Sequence, residues 1–534
     1  MKKELLFFTL LVILLIFSAS LTIAQIPFKS GGTDVCVTPN DTFSTVKTEI
    51  SVAKNGWIYV LAEGTKYSGQ QEWRVYRSVD GGTTFASVCS WGYNVSDYQL
   101  KDADLEVTGD NASNINIWVA ELSNVGTISP HESYCRLTRW DANGNMLGTP
   151  YYQAWGVSPL YFVAINSNYK NGSDGNPLRI SIVWTGADPA GGGVSDLLYW
   201  AYSNDGGATF ATVPDLYVGN VASGDALGRV SVSIGETGYF NARVAIAFER
   251  NFAMGTGNIG VICKYNDNTG TWTTPVTVNL ADASTNGICA YPTICCMNNY
   301  SGYPAASSSF PLIVAYESYS TPPVIKYNIL NNTFDMTGTP QASLSDFTDR
   351  TGGTNTEEPN MTFDVSHNNF ILTYRETSAN NLGYVTRNID DAATADFTYI
   401  GTYRDLTSAL SWPLPKVDVD LSVNKACFSW IETSSGRADV YFDAGESSTG
   451  IIQLSGEKDA VNLFPSPAKE YVNVRVSTNG DHHINFYNAM GQEVLHRSFS
   501  GTETQISLNG ISPGLYIVKV ISGKNIYKGK IEIR

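Results

Sequence analysis

The sequence predicts an all-β protein: a β-propeller of seven blades, with six as the alternative, followed by a small β-sandwich. The first observation is a repeat. An apolar run ending in Glu reads Val60-Leu61-Ala62-Glu63, Trp118-Val119-Ala120-Glu121, Ile246-Ala247-Phe248-Glu249, Val314-Ala315-Tyr316-Glu317, Thr373-Tyr374-Arg375-Glu376 and Ser429-Trp430-Ile431-Glu432, while Ile182-Val183-Trp184-Thr185 fills a seventh slot with Thr. Successive runs start 56 to 68 residues apart, and a fixed period of that kind marks a repeat architecture. The second observation is composition: 43% hydrophobic and 12% aromatic residues against 16% charged describe a chain that folds. The third is that, past the N-terminus, short alternating runs bounded by Gly, Asn, Asp and Pro replace any long 3.6-residue periodicity.

Each unit has the same order of parts. A strand-like segment such as residues 417–423 precedes the Glu-terminated run, and a Tyr-rich β-branched strand such as 197–202, 259–265 or 324–327 follows it. With a less regular fourth strand these make an antiparallel blade, which buries its faces only by packing radially against its neighbours. Ring closure is expected from both ends, residues 35–37 with 451–454, because closure removes exposed strand edges.

Residues 1–24 read as a cleavable secretion signal: Lys2 and Lys3, an apolar core over 5–17, then small residues, so that the mature chain starts at Gln25. The propeller is expected over 25–457 and a second domain over 458–534. Eight cysteines in an exported chain permit disulfides: a local bridge among Cys263, Cys289, Cys295 and Cys296, and a seam bridge between Cys36 and Cys427. Zinc is disfavoured there, since no His is close and the spacing lacks paired C-x-x-C.

The net charge of -16 is uneven. From Lys458 onward nine Lys and Arg face six Asp and Glu, whereas residues 25–457 hold 23 basic against 43 acidic side chains. Such a body repels phosphate backbones, so nucleic acid is not an expected partner; cations, neutral glycans or basic proteins are. No apolar stretch beyond the signal is long enough to span a bilayer, so no transmembrane anchor is expected after its removal.

A second signature follows the third strand of several units. Ser78-Val79-Asp80-Gly81-Gly82-Thr83-Thr84-Phe85 and Ser203-Asn204-Asp205-Gly206-Gly207-Ala208-Thr209-Phe210 are close copies, and Asp267, Thr271 and Trp272 keep a weaker form. These resemble the Asp-box (BNR repeat) of sialidase-like propellers, Ser-x-Asp-x-Gly-x-Thr-aromatic. The resemblance implies a structural role for Asp80, Asp205 and Asp267, on the face opposite the family's active site. The family's Arg-Ile-Pro motif is absent, and nothing in the sequence gathers Arg229, Arg250, Arg375 and Arg404 into a carboxylate clamp.

The C-terminal region carries a second resemblance. Asn462-Leu463-Phe464-Pro465-Ser466-Pro467-Ala468, then the segments 484–495 and 511–520, with Lys528-Gly529-Lys530 near the end, are similar to the C-terminal sorting domain of type IX secretion cargo from Bacteroidetes-type bacteria. Ser466 stands where that family usually has Asn. The resemblance implies a small β-sandwich recognised by the type IX machinery, a secreted or outer-membrane surface location reached through the periplasm, and removal of the tail on arrival.

Two sets of carboxylates are candidates for chemistry. Asp102, Asp104 and Glu106 alternate along one inner strand and Asp418 and Asp420 along another; if they face the axial channel they suit a hard cation, so Ca²⁺ is the one cofactor the sequence points to, with a hydrated channel as the alternative. The six repeat Glu residues, with Arg375 beside Glu376, are expected as an exposed rim at the end opposite the Asp-boxes, able to bind a ligand or to supply a glycosidase pair. As exposed groups they should matter little to folding. Gly510-Ile511-Ser512-Pro513-Gly514 matches G-x-S-x-G only literally, and His131 and His367 have no metal-ligand companion at helical spacing. Two functions follow: a surface or secreted propeller that binds glycan or protein without catalysis, or a sialidase-like exoglycosidase.

The paired end signals lead to a first prediction. Mass spectrometry of the mature protein from its native host should find Gln25 at the N-terminus and no residues beyond about 461; an intact tail on most molecules would contradict it.

Overall fold

The computed structural model describes residues 34–446 and 462–533, apart from loop stretches of which the longer are 169–177, 251–256, 266–275, 280–288, 297–311, 331–344, 347–355, 389–396 and 406–412. The chain divides into two units, Met1–Ser448 and Thr449–Arg534. The first holds seven four-stranded antiparallel sheets, so the blade count is seven rather than six. Their inner strands are Phe43–Val52, Tyr98–Thr108, Leu160–Ser167, Val230–Glu236, Cys289–Cys296, Thr356–Asp364 and Lys416–Asp420 for blades 1 to 7. In each blade the strands follow chain order outward, except that blade 7 takes its outermost strand, Val35–Cys36, from the N-terminus, paired with Arg437–Glu446. The other closure segment expected from sequence, 451–454, and the signal segment lie outside the described residues.

In blades 1, 2, 3, 5 and 6 the second strand is buried through its central run, as its near-continuous apolar sequence requires. Between blades, large side chains fill the wedge: Trp73, Trp118, Trp184, Trp200 and Trp430 are all fully buried. Phe248, Tyr316, Tyr327 and Tyr384 occupy similar places in later blades.

An inner strand pairs on one edge only, so its other edge leaves backbone N–H groups facing the channel. Here the preceding blade supplies the acceptors. Val107 N–H donates to Ser51 Oγ (3.0 Å), Val163 and Ile165 N–H to Asp102 and Asp104 (2.7 and 2.8 Å), and Ile234 N–H to Asn166 Oδ1 (2.9 Å). Ile294 and Cys296 N–H donate to Ser231 and Ser233 (3.2 and 3.0 Å), Met361 N–H to Thr293 Oγ1 (3.1 Å), and Val417 N–H to Asn360 Oδ1 (3.0 Å). The seventh junction is made the same way, Val52 N–H donating to Asp418 Oδ2 at 2.7 Å. Strand alternation sends every second inner-strand side chain toward the next blade, so short polar residues at those positions become the partners of its edge.

At the opposite end of the blades the Ser-x-Asp turns of blades 1 and 3 tie neighbours together. Asp80 accepts from Thr84 N–H and Oγ1–H (3.0 and 2.7 Å), while Ser78 Oγ accepts Gly82 N–H at 2.9 Å; Asp205, Thr209, Ser203 and Gly207 repeat the geometry. These bonds hold both carboxyls down at about 2. Gly82 and Gly207 have φ of 91° and 82°, and a Cβ on either would strike Phe442 of blade 7 or Trp118 of blade 2. Glycine is needed for both reasons. Blade 2 carries a third version that the Ser-x-Asp pattern misses: Asp141 accepts from Asn143 and Asn145 N–H, and a Cβ on Gly144 would strike Val88 O of blade 1. Asp267 lies outside the described residues.

All eight cysteines are thiols. The seam bridge fails because Cys36 and Cys427 lie two strands apart in one sheet, with Arg437–Glu446 between them, and are out of register as well, Cys36 opposite Tyr441 and Cys427 opposite Ala444, so they are well beyond disulfide reach. Cys289, Cys295 and Cys296 share one strand and sit with Cys263 in a single apolar core.

The second unit has a three-stranded sheet, Asn462–Phe464, Tyr471–Arg475 and Glu503–Ser507, and a four-stranded one, Asp481–Tyr487, Glu493–Ser500, Gly514–Ser522 and Asn525–Ile533. Val472, Val474, Ile484, Phe486, Val518, Val520 and Ile531 make their shared core, as in a small sandwich.

The junction bonds give a second prediction. Asp418→Ala leaves the buried Val52 N–H and Thr362 hydroxyl without their acceptor and should cost about 3 kcal/mol of stability, read by urea denaturation. Asp418→Asn should recover at least half; an alanine variant as stable as the parent would contradict the role.

Candidate functional site

The axial channel opens at the end where inner strands begin and second strands finish, as the pairing of Lys47 with Glu63 and of Ala103 with Glu121 requires. A cavity of about 770 Å³ runs from that mouth between the inner strands. Its upper wall is charged and aromatic: Lys47, Glu49, Glu63, Lys101, Asp102, Asp104, Phe162, Arg229, Tyr291 and Lys416. Lower down it is mostly apolar, with Ile165, Val232, Ile294 and Met361.

The mouth is shaped by bulges. The inner strands of blades 1, 2, 3, 5 and 6 each break register near their start, at Thr45/Lys47, Leu100/Asp102, Leu160/Phe162, Ala290/Thr293 and Glu357/Asn360. A bulge releases its extra residue from the ladder and re-aims it. In blades 5, 6 and 7 the device is explicit: Tyr291, Glu358 and Leu414 have φ of 51°, 55° and 46°, and each is followed by proline, Pro292, Pro359 or Pro415. A non-glycine residue held there costs of order 1–3 kcal/mol unless its surroundings impose the geometry.

The repeat Glu residues help impose it. They are not an exposed rim: Glu63, Glu121, Glu249, Glu317, Glu376 and Glu432 are all buried, Glu121 completely, and so is Arg375. Glu63 accepts Ala103 N–H (3.0 Å) just past the bulge of blade 2, Glu249 accepts Tyr291 N–H (2.7 Å) and Arg229 N–H (2.8 Å), and Glu317 accepts Glu358 N–H (3.1 Å). Thr185, in the seventh slot, donates to Gly228 O of the next blade at 2.8 Å. Glu358 continues the chain by accepting Leu414 N–H at 2.8 Å. Glu121 instead pairs with Arg136 and accepts the Trp73 indole N–H, and Asn124 takes over the bond to the next blade, accepting Leu160 N–H at 2.8 Å. Glu376 accepts the Tyr374 hydroxyl (3.3 Å), Arg375 lies 3.7 Å from Glu357, and Glu432 is opposite Asp439 in the sheet register. In three of the six runs the terminal Glu reaches the neighbouring blade's backbone, and in none does the strand emerge into water there, since all six Glu are buried.

The expected Ca²⁺ ligands are likewise committed. Asp102, Asp104 and Asp418 turn to the adjacent blade's backbone, and Asp420 accepts from Ser422 N–H and Oγ–H. Among the described residues no group of three or more His, Cys, Asp or Glu is arranged to hold a metal. The cations at the mouth are side chains: Lys47 Nζ sits 2.6 Å from Asp102, 3.3 Å from Glu49 and donates to Ala103 O, and Lys416 Nζ is 2.9 Å from Glu49. Burial opposes charge on Lys47, but Asp102, Glu49, Asp104 and Glu63 raise its affinity for the proton above the ordinary lysine value. Burial first, and then Asp102, push Glu63 up to about 8; burial and Glu49 push Asp104 to about 7; burial pushes Glu358 to about 8.

Opposite the lysines, Arg229 lies over Tyr291 (3.9 Å to the ring centre) and beside Phe162 (5.1 Å), with its guanidinium 3.3 Å from Glu249. Sequence reasoning missed Lys47, Glu49, Lys101, Phe162, Tyr291, Glu358 and Lys416. The signal available was proline at 292, 359 and 415, spaced like the blades and marking the bulge residues. His367 is bonded to Asp364 at 2.6 Å and is no part of the mouth, while His131 lies outside the described residues.

Residues 462–534 match the family described as "Secretion system C-terminal sorting domain". No curated protein matches the chain. Among solved structures, a protein of unknown function from Dyadobacter fermentans DSM 18053 is 16% identical over 64% of this chain and 93% of its own, with a TM-score of 0.39. The α-L-arabinofuranosidase Arb93A from Fusarium graminearum is 11% identical over 78% and 98% (TM-score 0.41), and the Trypanosoma rangeli sialidase 9% over 94% and 89% (0.39). The protein is type IX secretion cargo, exported to the cell surface or beyond it. No helix among the described residues is long and apolar enough to cross a membrane.

The raised carboxyls fix the sign of a third prediction. Glu63, Asp104 and Glu358 keep their protons to about 8, 7 and 8 in the folded chain, whereas unfolded they release them near about 4. Stability should fall as pH rises from about 4.5 to 8. Denaturation midpoints at pH 5 and pH 8 should differ in that sense, and a Glu63→Gln, Glu358→Gln double variant should flatten the slope. A midpoint rising toward pH 8 would overturn it.

Proposed function

We propose that this exported propeller is a recognition module that binds a glycan in the mouth of its axial channel without cleaving it. The observation that carries the reading is the commitment of the Glu repeat: Glu63, Glu249 and Glu317 accept backbone N–H groups of the neighbouring blade, so they hold the site rather than flank a scissile bond. A glycosidase needs two carboxyls free to approach a sugar from either side. What the mouth offers instead is a cavity of about 770 Å³, within the size range of ligand pockets. Its aromatic walls and paired polar groups are already fixed in position, which lowers the ordering cost of binding hydroxyl-rich ligands. A protein ligand is the other occupant this surface suits.

One observation favours a second reading, that of a sialidase-like exoglycosidase or related hydrolase. Asp104 lines the cavity with its carboxyl pushed up to about 7, chiefly by burial and then by Glu49, as a general acid requires. Against it stands the bond that Asp104 accepts from Ile165 N–H.

A fourth prediction separates the two. Tail-less protein applied to a glycan array and to a panel of chromogenic glycosides should bind at least one glycan class and turn over none. Turnover abolished by Asp104→Asn would establish the hydrolase instead.

A further inference from the structure

The cations of the mouth differ in one respect. Lys47 and Lys416 are neutralised by Glu49 and Asp102, and Arg229 by Glu249. Lys101 is exposed and, among the described residues, has no carboxylate partner; its Nζ rests 5.9 Å from the ring centre of Phe162. It is also the residue that the blade 2 bulge throws out of the ladder, since Leu100 pairs with Ser123 and Asp102 with Leu122 while Lys101 pairs with neither. Phe162, at the corresponding bulge of blade 3, is shared with Arg229 of blade 4 at 5.1 Å. Two cations from different blades therefore flank one ring at the edge of the cavity.

We propose that Lys101, beside Phe162 at the edge of the cavity, is the subsite for an anionic group on the glycan: a carboxylate or sulfate carried by a sugar ring. The inference rests on the glycan reading above. A cation resting on an exposed aromatic face is held weakly, whereas a hydrogen bond between charged groups is the stronger interaction, so an incoming anion draws Lys101 from the ring. Phe162 holds the ammonium near its working position until then. The setting sharpens selectivity. The body as a whole is acidic, with 23 basic against 43 acidic residues over 25–457, and repels polyanions in general, so an acidic glycan is retained only where its charge meets Lys101.

The test is calorimetric titration of the tail-less protein with three probes: an oligogalacturonate, a sulfated carrageenan oligosaccharide and a neutral xylo-oligosaccharide, each at low and high salt. At least one acidic probe should bind, more weakly at high salt, and Lys101→Met should weaken it about tenfold or more while Lys101→Arg retains most of the affinity. Which acidic probe responds distinguishes carboxylate from sulfate. Unchanged melting temperature of both variants is expected, as Lys101 is exposed. Binding of the neutral probe alone, or acidic binding indifferent to Lys101→Met, overturns the anionic subsite and leaves the glycan reading standing. Binding of none of the three, with a protein ligand recovered instead, overturns both.

Discussion

A strand that borders a channel has one edge with nothing to pair with, and the rest of this molecule follows from how that edge is satisfied. Seven inner strands face the axis, and at each junction a side chain of one blade accepts an N–H of the next, from Ser51 and Val107 around to Asp418 and Val52. Ser51, Asp102, Ser233, Thr293 and Asp418 are buried and the other acceptors half-buried, in surroundings where an unsatisfied donor is expensive and a charged acceptor strong. Such bonds join blades that share no ladder. With the wedge of Trp side chains beside them and the Asp-box glycines packed on the preceding blade, they hold neighbouring sheets at both ends.

The Glu repeat applies the same solution to the harder part of the edge. At the mouth the inner strands bulge, and three of them put a non-glycine residue at positive φ before a proline. Proline removes one N–H from the problem, and the carboxylate of the previous blade, or of Glu358, takes the N–H just before it. Binding surface and ring stability thus draw on the same carboxylates. The residues left over for a ligand are those the bulges turn outward, Lys101 and Tyr291 among them.

Much of this was legible in sequence. The period, the order of parts within a unit, the Ser-x-Asp turns at Asp80 and Asp205 and the tail domain all leave local patterns, since a turn or an alternating strand is decided within a few residues. Their position in the repeat also set the Glu residues and the Asp-boxes at opposite ends. Burial of Glu63 or Glu317 was not legible, because the partner N–H belongs to Ala103 or Glu358, about 40 residues on. Alternation correctly put Asp102 and Asp104 on one side of their strand, along the channel wall; what it did not show is that their carboxyls are taken up there by the N–H edge of blade 3. A polar residue in an inner strand looks like a channel lining until the neighbouring edge is in place.

In this propeller the channel-facing edge amides are held by the neighbouring blade. Residue-resolved hydrogen exchange of the intact protein tests this most directly. Val52, Val163, Ile165 and Met361 N–H, each bonded to a side chain across a junction, should exchange as slowly as the ladder amides of the buried second strands, opening only with the fold. Exchange at the rate of exposed loop amides would show that these edges are bonded to channel water, and the junction bonds could not then hold the ring.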